Sequence, residues 1–342
     1  MGAQQIKRVN LGIIGTGLAT RNLHWPVLEL LSEYYTIKSV SSRTQAKAES
    51  FGKMVETDSV FTDYKKMLSE TDLDAVLIAV PIEHNYPISL ECAKAGVNIM
   101  CEKPVAVNLE QGRKMIELPG KYNIKMQIAE QFYYRDDLNK AAELINQGVI
   151  GEVFQIRMDV TVKVNTDDGY GATEWRIKPA HQAGFVTDAG VHHMAELRLL
   201  AGEIEDVHAF TLNKSDKFGG IDNICMNIQF NSGIIGHYNA SYTAICPEPY
   251  TVRTNILGTK GTLEIRYGEI LLYKKLQDDN PEYISFDHFD GGFRNQWIEF
   301  YKSLVEDKPI VSSPQRTFKD LQIICYALDS VSSRKVVRIP NN

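Results

Sequence analysis

Two short stretches carry side chains that could act on a small molecule. In "CEKPV", residues 101–105, Glu102 and Lys103 follow an apolar run and precede a proline. In "TDAGVHHMAE", residues 187–196, Asp188 and His192 stand four apart. A lysine just beyond a parallel strand lies on the edge where open α/β sheets bind ligands. It can donate to a substrate oxygen, and desolvation would lower its pKa toward a useful range. The four-residue spacing puts Asp188 and His192 on one helix face. Both are expected in the first turn, where the helix end disfavours imidazolium and helps His192 accept a proton near neutrality. His193 projects about 100° away and reads as structural. Taken alone, the first stretch is a charged turn, Asp188 a helix-start acid and His192 a buried histidine.

The elements around these stretches make the chemical reading stronger. The run "VNLGIIGTGLATRNLHWPVL", residues 9–28, is a strand, a Gly-Thr-Gly turn and a helix expected from about Thr20 to Ser32. Gly15 permits the tight turn, and Gly17 lets backbone approach a pyrophosphate facing the helix N-terminus, with Thr16 and Leu18 flanking it. The third position of the usual G-x-G-x-x-G is Thr20, with the small Ala19 beside it. The second strand, "YTIKSVSS", ends in Ser42 and Arg43 where an acid would select NAD. A hydroxyl and a guanidinium suit a 2′-phosphate, so NADP is preferred and NAD remains open. The runs "AVLIAV", "VNIMCE" and "IKMQIAE" alternate with helical segments, which predicts a doubly wound parallel sheet.

After "RDDLNKAAELINQGVIGE" the pattern changes. Segments rich in β-branched residues, among them "VFQIRMDVTVKV", "IDNICMNIQF" and "GIIGHYNASYT", are separated by short polar turns, and "NSG" marks a hairpin. A mostly antiparallel open sheet flanked by helices is expected, closed by "RNQWIEFYKSLVED" and "PQRTFKDLQIICYALDSVSS". The predicted division is 1–130 for a Rossmann dinucleotide-binding domain and 131–342 for a substrate-binding and oligomerisation domain.

Bulk composition narrows the classes. The 342 residues are 44% hydrophobic and 23% charged with a formal net charge of −6, and both signs are interspersed. No basic block points to nucleic acid or an anionic membrane. No apolar stretch approaches a membrane span. Five cysteines without a C-x-x-C pair read as reduced thiols of a cytoplasmic protein. No metal site is expected, because the Asp188, His192 and His193 group lacks further ligands at a supporting spacing. No G-x-S-x-G hydrolase elbow occurs.

The chain resembles the glucose–fructose oxidoreductase/inositol dehydrogenase (Gfo/Idh/MocA) family of two-domain dehydrogenases. The resembling residues are "GIIGTGLATRNLHWPVL", "SSRT", "VPIEHNYPISLECAKAGVNIMCEKP", "WRIKPAHQAGFVTDAGVHHMAELRLLAG" and "QWIEFYKSLVEDKPIVSS", spanning almost the whole length. The resemblance implies that Lys103 lies beside the nicotinamide and contacts the reacting hydroxyl. It implies that Glu102 approaches the cofactor, that the Lys103–Pro104 bond is often cis, and that Pro81 and His84 line the nicotinamide ribose. It also makes Asp188, His192 and Lys103 the catalytic set, and a homodimer or homotetramer built on the second sheet's outer face is expected. Hydride transfer needs a group to take the hydroxyl proton, and His192 suits that task, with Lys103 opposing the developing negative charge. Asp188 would orient substrate or share in the relay. Further contacts are expected from Gln131 near the nicotinamide and from Trp175, Arg176, Tyr133 and His24 near the substrate. Two departures from the family pattern, Gly184 standing without neighbouring glycines and Ala195 followed by Glu196, lie on the substrate side. The expected activity is NAD(P)-dependent oxidation or reduction of a sugar, polyol or related carbohydrate. A cofactor-binding sensor and an NAD-dependent glycosidase are the alternatives.

Overall fold

The computed structural model describes residues 6–181, 184–217, 219–245, 250–277 and 279–340. Cys246, one of the five cysteines, lies outside them. The chain divides into two compact units, Met1–Glu130 with Phe293–Phe318, and Gln131–Gly292 with Lys319–Asn342.

Among its described residues the first unit holds six strands: β1 (Val9–Ile14), β2 (Tyr35–Ser41), β3 (Val60–Phe61), β4 (Ala75–Ile78), β5 (Asn98–Glu102) and β6 (Met126–Ala129). They pair in the order β3-β2-β1-β4-β5-β6, and every pairing is parallel. Strand order reverses between β1 and β4, which opens a crevice at the carboxyl ends of the strands. Continuous apolar runs make this sheet possible, since helices cover both faces and β4 is buried at all four positions.

Segment 293–318, which the sequence pattern assigns to the second half, folds with the first. In its helix, Phe293–Val305, the fully buried Trp297 and Phe300 pack with Tyr35, Leu77 and Met100. Tyr35 Oη also donates to the Trp297 carbonyl at 2.7 Å. Trp297, Phe300, Tyr301 and Leu304 form an i, i+3, i+4, i+7 stripe. Such a stripe announces that a helix is buried without saying against what.

The helix after β1 also differs from expectation. Thr20–His24 is wound as a π-turn, closed by the Trp25 N–H on the Thr20 carbonyl, and only Trp25–Leu30 is regular α-helix. Pro26, which has no N–H to give the ladder, follows directly.

Among the described residues the second unit contains nine strands: β7 (Val153–Val162), β8 (Ile204–Leu212), β9 (Asn223–Phe230), β10 (Ile235–Ser241), β11 (Tyr250–Gly258), β12 (Gly261–Arg266), β13 (Glu269–Tyr273), β14 (Glu282–Ser285) and β15 (Val337–Arg338). Their order is β14-β13-β12-β11-β7-β10-β9-β8-β15. All pairs are antiparallel except β7 with β10. The pattern does not reveal β8, β14 and β15, two of which are short and pair at the sheet edges. Alternation along β9 buries Ile224, Met226, Ile228 and Phe230 on one face. That face joins the helices Asp136–Asn146 and Phe185–Ala201 in one core. The opposite face carries the exposed side chains of Phe210 and Ile235.

Candidate functional site

The glycine turn at the end of β1 is built for close backbone approach. Gly15 adopts φ +96°, and a Cβ there would stand 2.1 Å from the Ala79 carbonyl oxygen, so no other residue fits. Its N–H donates to the Ser41 carbonyl at 2.9 Å, tying the turn to β2. Gly17 is exposed, and a Cβ there would meet nothing within 4 Å. The chain's own packing does not require Gly17; the glycine keeps the space outside the turn open, as a dinucleotide would need. Thr16 is buried and Leu18 half-buried, at the start of the helical backbone. Thr20, in the position of the third glycine, is fully buried and donates its hydroxyl to the Gly15 carbonyl at 2.6 Å. The threonine therefore braces the turn that a glycine would only leave room for. At the end of β2, Ser42 is half-buried and Arg43 exposed, and Arg43 forms no ion pair among the described residues.

Glu102 closes β5, and Lys103 and Pro104 follow in a turn with a cis peptide bond between them. Lys103 is half-buried. Glu102 does not simply point outward. Its Oε1 accepts from His24 Nε2 at 2.7 Å and its Oε2 from the Lys103 N–H at 3.0 Å. The buried Asn85 donates through Nδ2 to the carbonyls of Glu102 (2.8 Å) and Pro104 (3.0 Å). His24, expected near the substrate, is fully buried and faces this carboxylate instead. Beyond the end of β4, Pro81 caps and His84 ends a 3₁₀ turn, Ile82–His84, and both are half-buried. They share the carboxyl edge of the sheet with the glycine turn, Ser42 and Lys103.

In the second unit, Asp188 and His192 lie on the helix Phe185–Ala201, which begins at the N-cap Gly184. Asp188 is in the first turn as expected, but His192 is the eighth residue and lies in the second. The field of a helix end fades within a turn, so it has little hold on this imidazole. His192 instead stacks on Phe132, with centroids 4.7 Å apart and planes at 15°. The buried Asp188 accepts from Arg176 Nε at 2.7 Å. The Arg176 guanidinium lies 4.0 Å from the Trp175 ring centroid. The fold thus gathers Trp175, Arg176 and Asp188, which the sequence spreads over fourteen positions. Gln131 opens the second unit, one residue before Phe132.

Three residues have structural partners. His193 is buried with Nδ1 2.9 Å from the Tyr238 hydroxyl. Tyr133, expected near the substrate, is buried, donates to Asp320 at 3.0 Å and accepts from Arg198 at 2.8 Å. Glu196 lies inside the core, accepting from Thr254 Oγ1 at 2.6 Å and standing 3.6 Å from Arg135 Nη1. Burial pushes its carboxyl above the ordinary glutamate range against the opposing pull of Arg135. Asn85, Phe132 and Trp297 hold the candidate groups, yet the sequence offered no sign of it beyond their being large or polar.

Among the described residues no group of three or more His, Cys, Asp or Glu side chains could hold a metal. No helix among them is long and apolar enough to cross a membrane. A depression of about 620 Å³ on the open face of the second sheet is lined by Gln155, Arg157, His208, Asn227 and His237, and contains none of the predicted catalytic residues.

The glycine turn at the end of β1, with its open approach at Gly17 and a lysine on the same carboxyl edge, defines a dinucleotide-dependent oxidoreductase unit. Residues 9–129 match the oxidoreductase family with an NAD-binding Rossmann fold, and residues 138–264 match the GFO/IDH/MocA C-terminal domain. The chain belongs to the GFO/IDH/MocA family. It is similar over 97% of its length to the crystal structure of an oxidoreductase from Thermotoga maritima, with 34% identity, 99% of that chain covered and a TM-score of 0.91. An uncharacterized protein of Saccharomyces cerevisiae is 26% identical over 94% of this chain and 95% of its own. A myo-inositol 2-dehydrogenase of Thermotoga maritima is 23% identical over 87% of this chain and 88% of its own.

Proposed function

We propose that this oxidoreductase moves a hydride between a nicotinamide cofactor and a hydroxyl-bearing carbon of a sugar, polyol or related small carbohydrate. The observation that carries the reading is the shared sheet edge: Lys103 leaves β5 on the edge where Gly15 and Gly17 turn out of β1. The likeness to a myo-inositol dehydrogenase supports a polyhydroxylated substrate. The nicotinamide, when bound, supplies the hydride acceptor or donor. In oxidation His192 takes the hydroxyl proton, and in reduction it returns one. Lys103 hydrogen-bonds to the same oxygen and opposes the negative charge that grows on it. Asp188, fixed by Arg176, orients the substrate beside His192, and Trp175 and Arg176 complete that wall.

NADP is the preferred cofactor in this reading, because Ser42 and Arg43 stand where an NAD-selecting acid would. Gly15, Thr16, Gly17 and Leu18 would cradle the pyrophosphate, while Pro81, His84, Glu102 and Gln131 serve the nicotinamide end. The free thiols of Cys92, Cys101, Cys225 and Cys325 suit a reducing cytoplasm. A homodimer or homotetramer would cover the open sheet face that exposes Phe210 and Ile235, which the solution mass would show.

The deciding experiment offers NADP and NAD separately with a panel of sugars and polyols, following reduced nicotinamide by its near-ultraviolet absorbance. Reduced cofactor with one substrate class is the expected result. Tight cofactor binding without net turnover on any of them would overturn it in favour of a sensor or a cofactor-recycling glycosidase.

A further inference from the structure

The Glu102–Lys103 turn is held by a hydrogen-bonded chain that reaches across the first unit to a residue far away in sequence. Trp297 Nε1 lies 3.2 Å from His24 Nδ1, and His24 Nε2 lies 2.7 Å from Glu102 Oε1. An indole N–H can only donate, so His24 Nδ1 must accept and the ring proton must sit on Nε2. His24 therefore donates to the carboxylate as a neutral imidazole of defined tautomer. Glu102 passes the constraint on, because its second oxygen accepts the backbone N–H of Lys103 at 3.0 Å. His24 and Trp297 are fully buried, and the ring of His24 also meets Phe293 and Trp297 edge-on at 5.9 and 5.7 Å. The imidazole has no room to turn, and every polar atom along the chain has a partner. The π-turn that carries His24 brings it inward, beneath the end of β5.

We propose that His24, oriented by Trp297, is a positioning residue that fixes Glu102 and through it sets the place of Lys103 on the sheet edge. This rests on the reading of Lys103 as the group that meets the reacting oxygen. A largely buried chain suits the task because charge-assisted hydrogen bonds are strong and geometrically strict where water competes little. Removing a link leaves a carboxylate that can rotate and loosens its hold on the turn. Hydride transfer is sensitive to small displacements of the groups around it, so the effect falls on kcat more than on cofactor affinity.

The test uses the full chain with ¹⁵N-lysine labelling, the Lys103 amide being identified by its disappearance in Lys103→Arg. In His24→Leu and Trp297→Phe this amide should move further than any other lysine amide as its bond to Glu102 weakens. Both variants should lose about tenfold in kcat, the worth of one charge-assisted hydrogen bond, while the dissociation constant of the cofactor stays within about twofold of the parent on the same reasoning. His24→Gln, whose amide can both accept and donate, should restore much of both signals. An unmoved Lys103 amide in a folded His24→Leu protein would overturn the positioning role. If His24→Leu does not fold, Trp297→Phe keeps one aromatic ring at the position, removes the N–H and carries the same decision. Should Lys103→Met leave turnover intact, the catalytic reading of Lys103 falls, while the amide signal still decides whether His24 holds the turn.

Discussion

The two units secure their chemical groups by different means. In the first, Lys103 sits in a turn clamped by hydrogen bonds from Asn85 and the Trp297–His24–Glu102 chain. In the second, His192 rests face to face on Phe132, and Asp188 accepts from Arg176. The difference follows from what is being held. A turn at a strand end needs its backbone fixed, and directional hydrogen bonds to carbonyls and a carboxylate do that. An aromatic ring packed flat against an imidazole fixes the plane of that ring.

Substitutions can break this contrast, and the largest effects are expected at the groups proposed to handle the proton. Lys103→Met and His192→Asn should each lower kcat/KM by about 10²–10⁴, the usual contribution of a positioned acid or base. Cofactor binding, read by titration, should survive in the histidine variant, and retained turnover in either would sink its assigned role. Next come the two glycines, which should part company. Gly15→Ala forces a side chain onto the Ala79 carbonyl at a positive φ and should cost about 1–3 kcal/mol or prevent folding. Gly17→Ala meets nothing, so its melting temperature should match the parent while cofactor affinity falls. Equal melting losses in both would show that Gly17 serves packing.

Arg43→Ala should weaken NADP by about ten- to a hundredfold, the worth of a hydrogen bond to a charged group, and leave NAD nearly unchanged. Parallel losses for both cofactors would remove Arg43 as the selector. Phe132→Leu keeps an apolar contact but loses the flat support, so kcat should fall by about three- to tenfold, matching the 0.5–1.5 kcal/mol of a ring pair. A larger change in stability than in kcat would make Phe132 a core residue and no more.

The smallest effect concerns acid. Burial tends to raise the Glu203 carboxyl, but the hydrogen bond and charge of Arg198 and the charge of Lys319 outweigh it and hold it below the ordinary glutamate range. A carboxyl depressed in the folded state adds stability above its unfolded pKa and loses it as pH falls through the folded value. The difference in melting temperature between the parent and Glu203→Gln should therefore shrink as pH drops below the ordinary carboxylate range. A constant difference would assign the effect to packing.

Much of the site could be read before any coordinates. Gly15 and Gly17 stand out because few residues suit a turn that tight, and Asp188 and His192 because a spacing of four is one helix face. Strand and helix periods separated the parallel half from the antiparallel one. What failed shares a cause. The helix Phe293–Val305 showed its apolar stripe but not its partner, which lies in the first unit far earlier in the chain. His24 and Tyr133 looked like substrate contacts by type and place, and each proved buried among polar partners distant in sequence. His192 fell one turn later than expected because the helix starts at Phe185, where chain entry and not composition sets the cap.

Sequence by itself determined the two kinds of sheet, the glycine turn and the identity of the groups with chemistry to offer, since these follow from local sterics and short periods along the chain. Only the tertiary structure decided which of those groups face inward, that Thr20 braces the glycine turn, and that Trp297 fixes the tautomer of a histidine 273 positions away. Burial and hydrogen-bond pairing depend on distances through space, and a linear pattern holds no record of them until the chain has closed on itself.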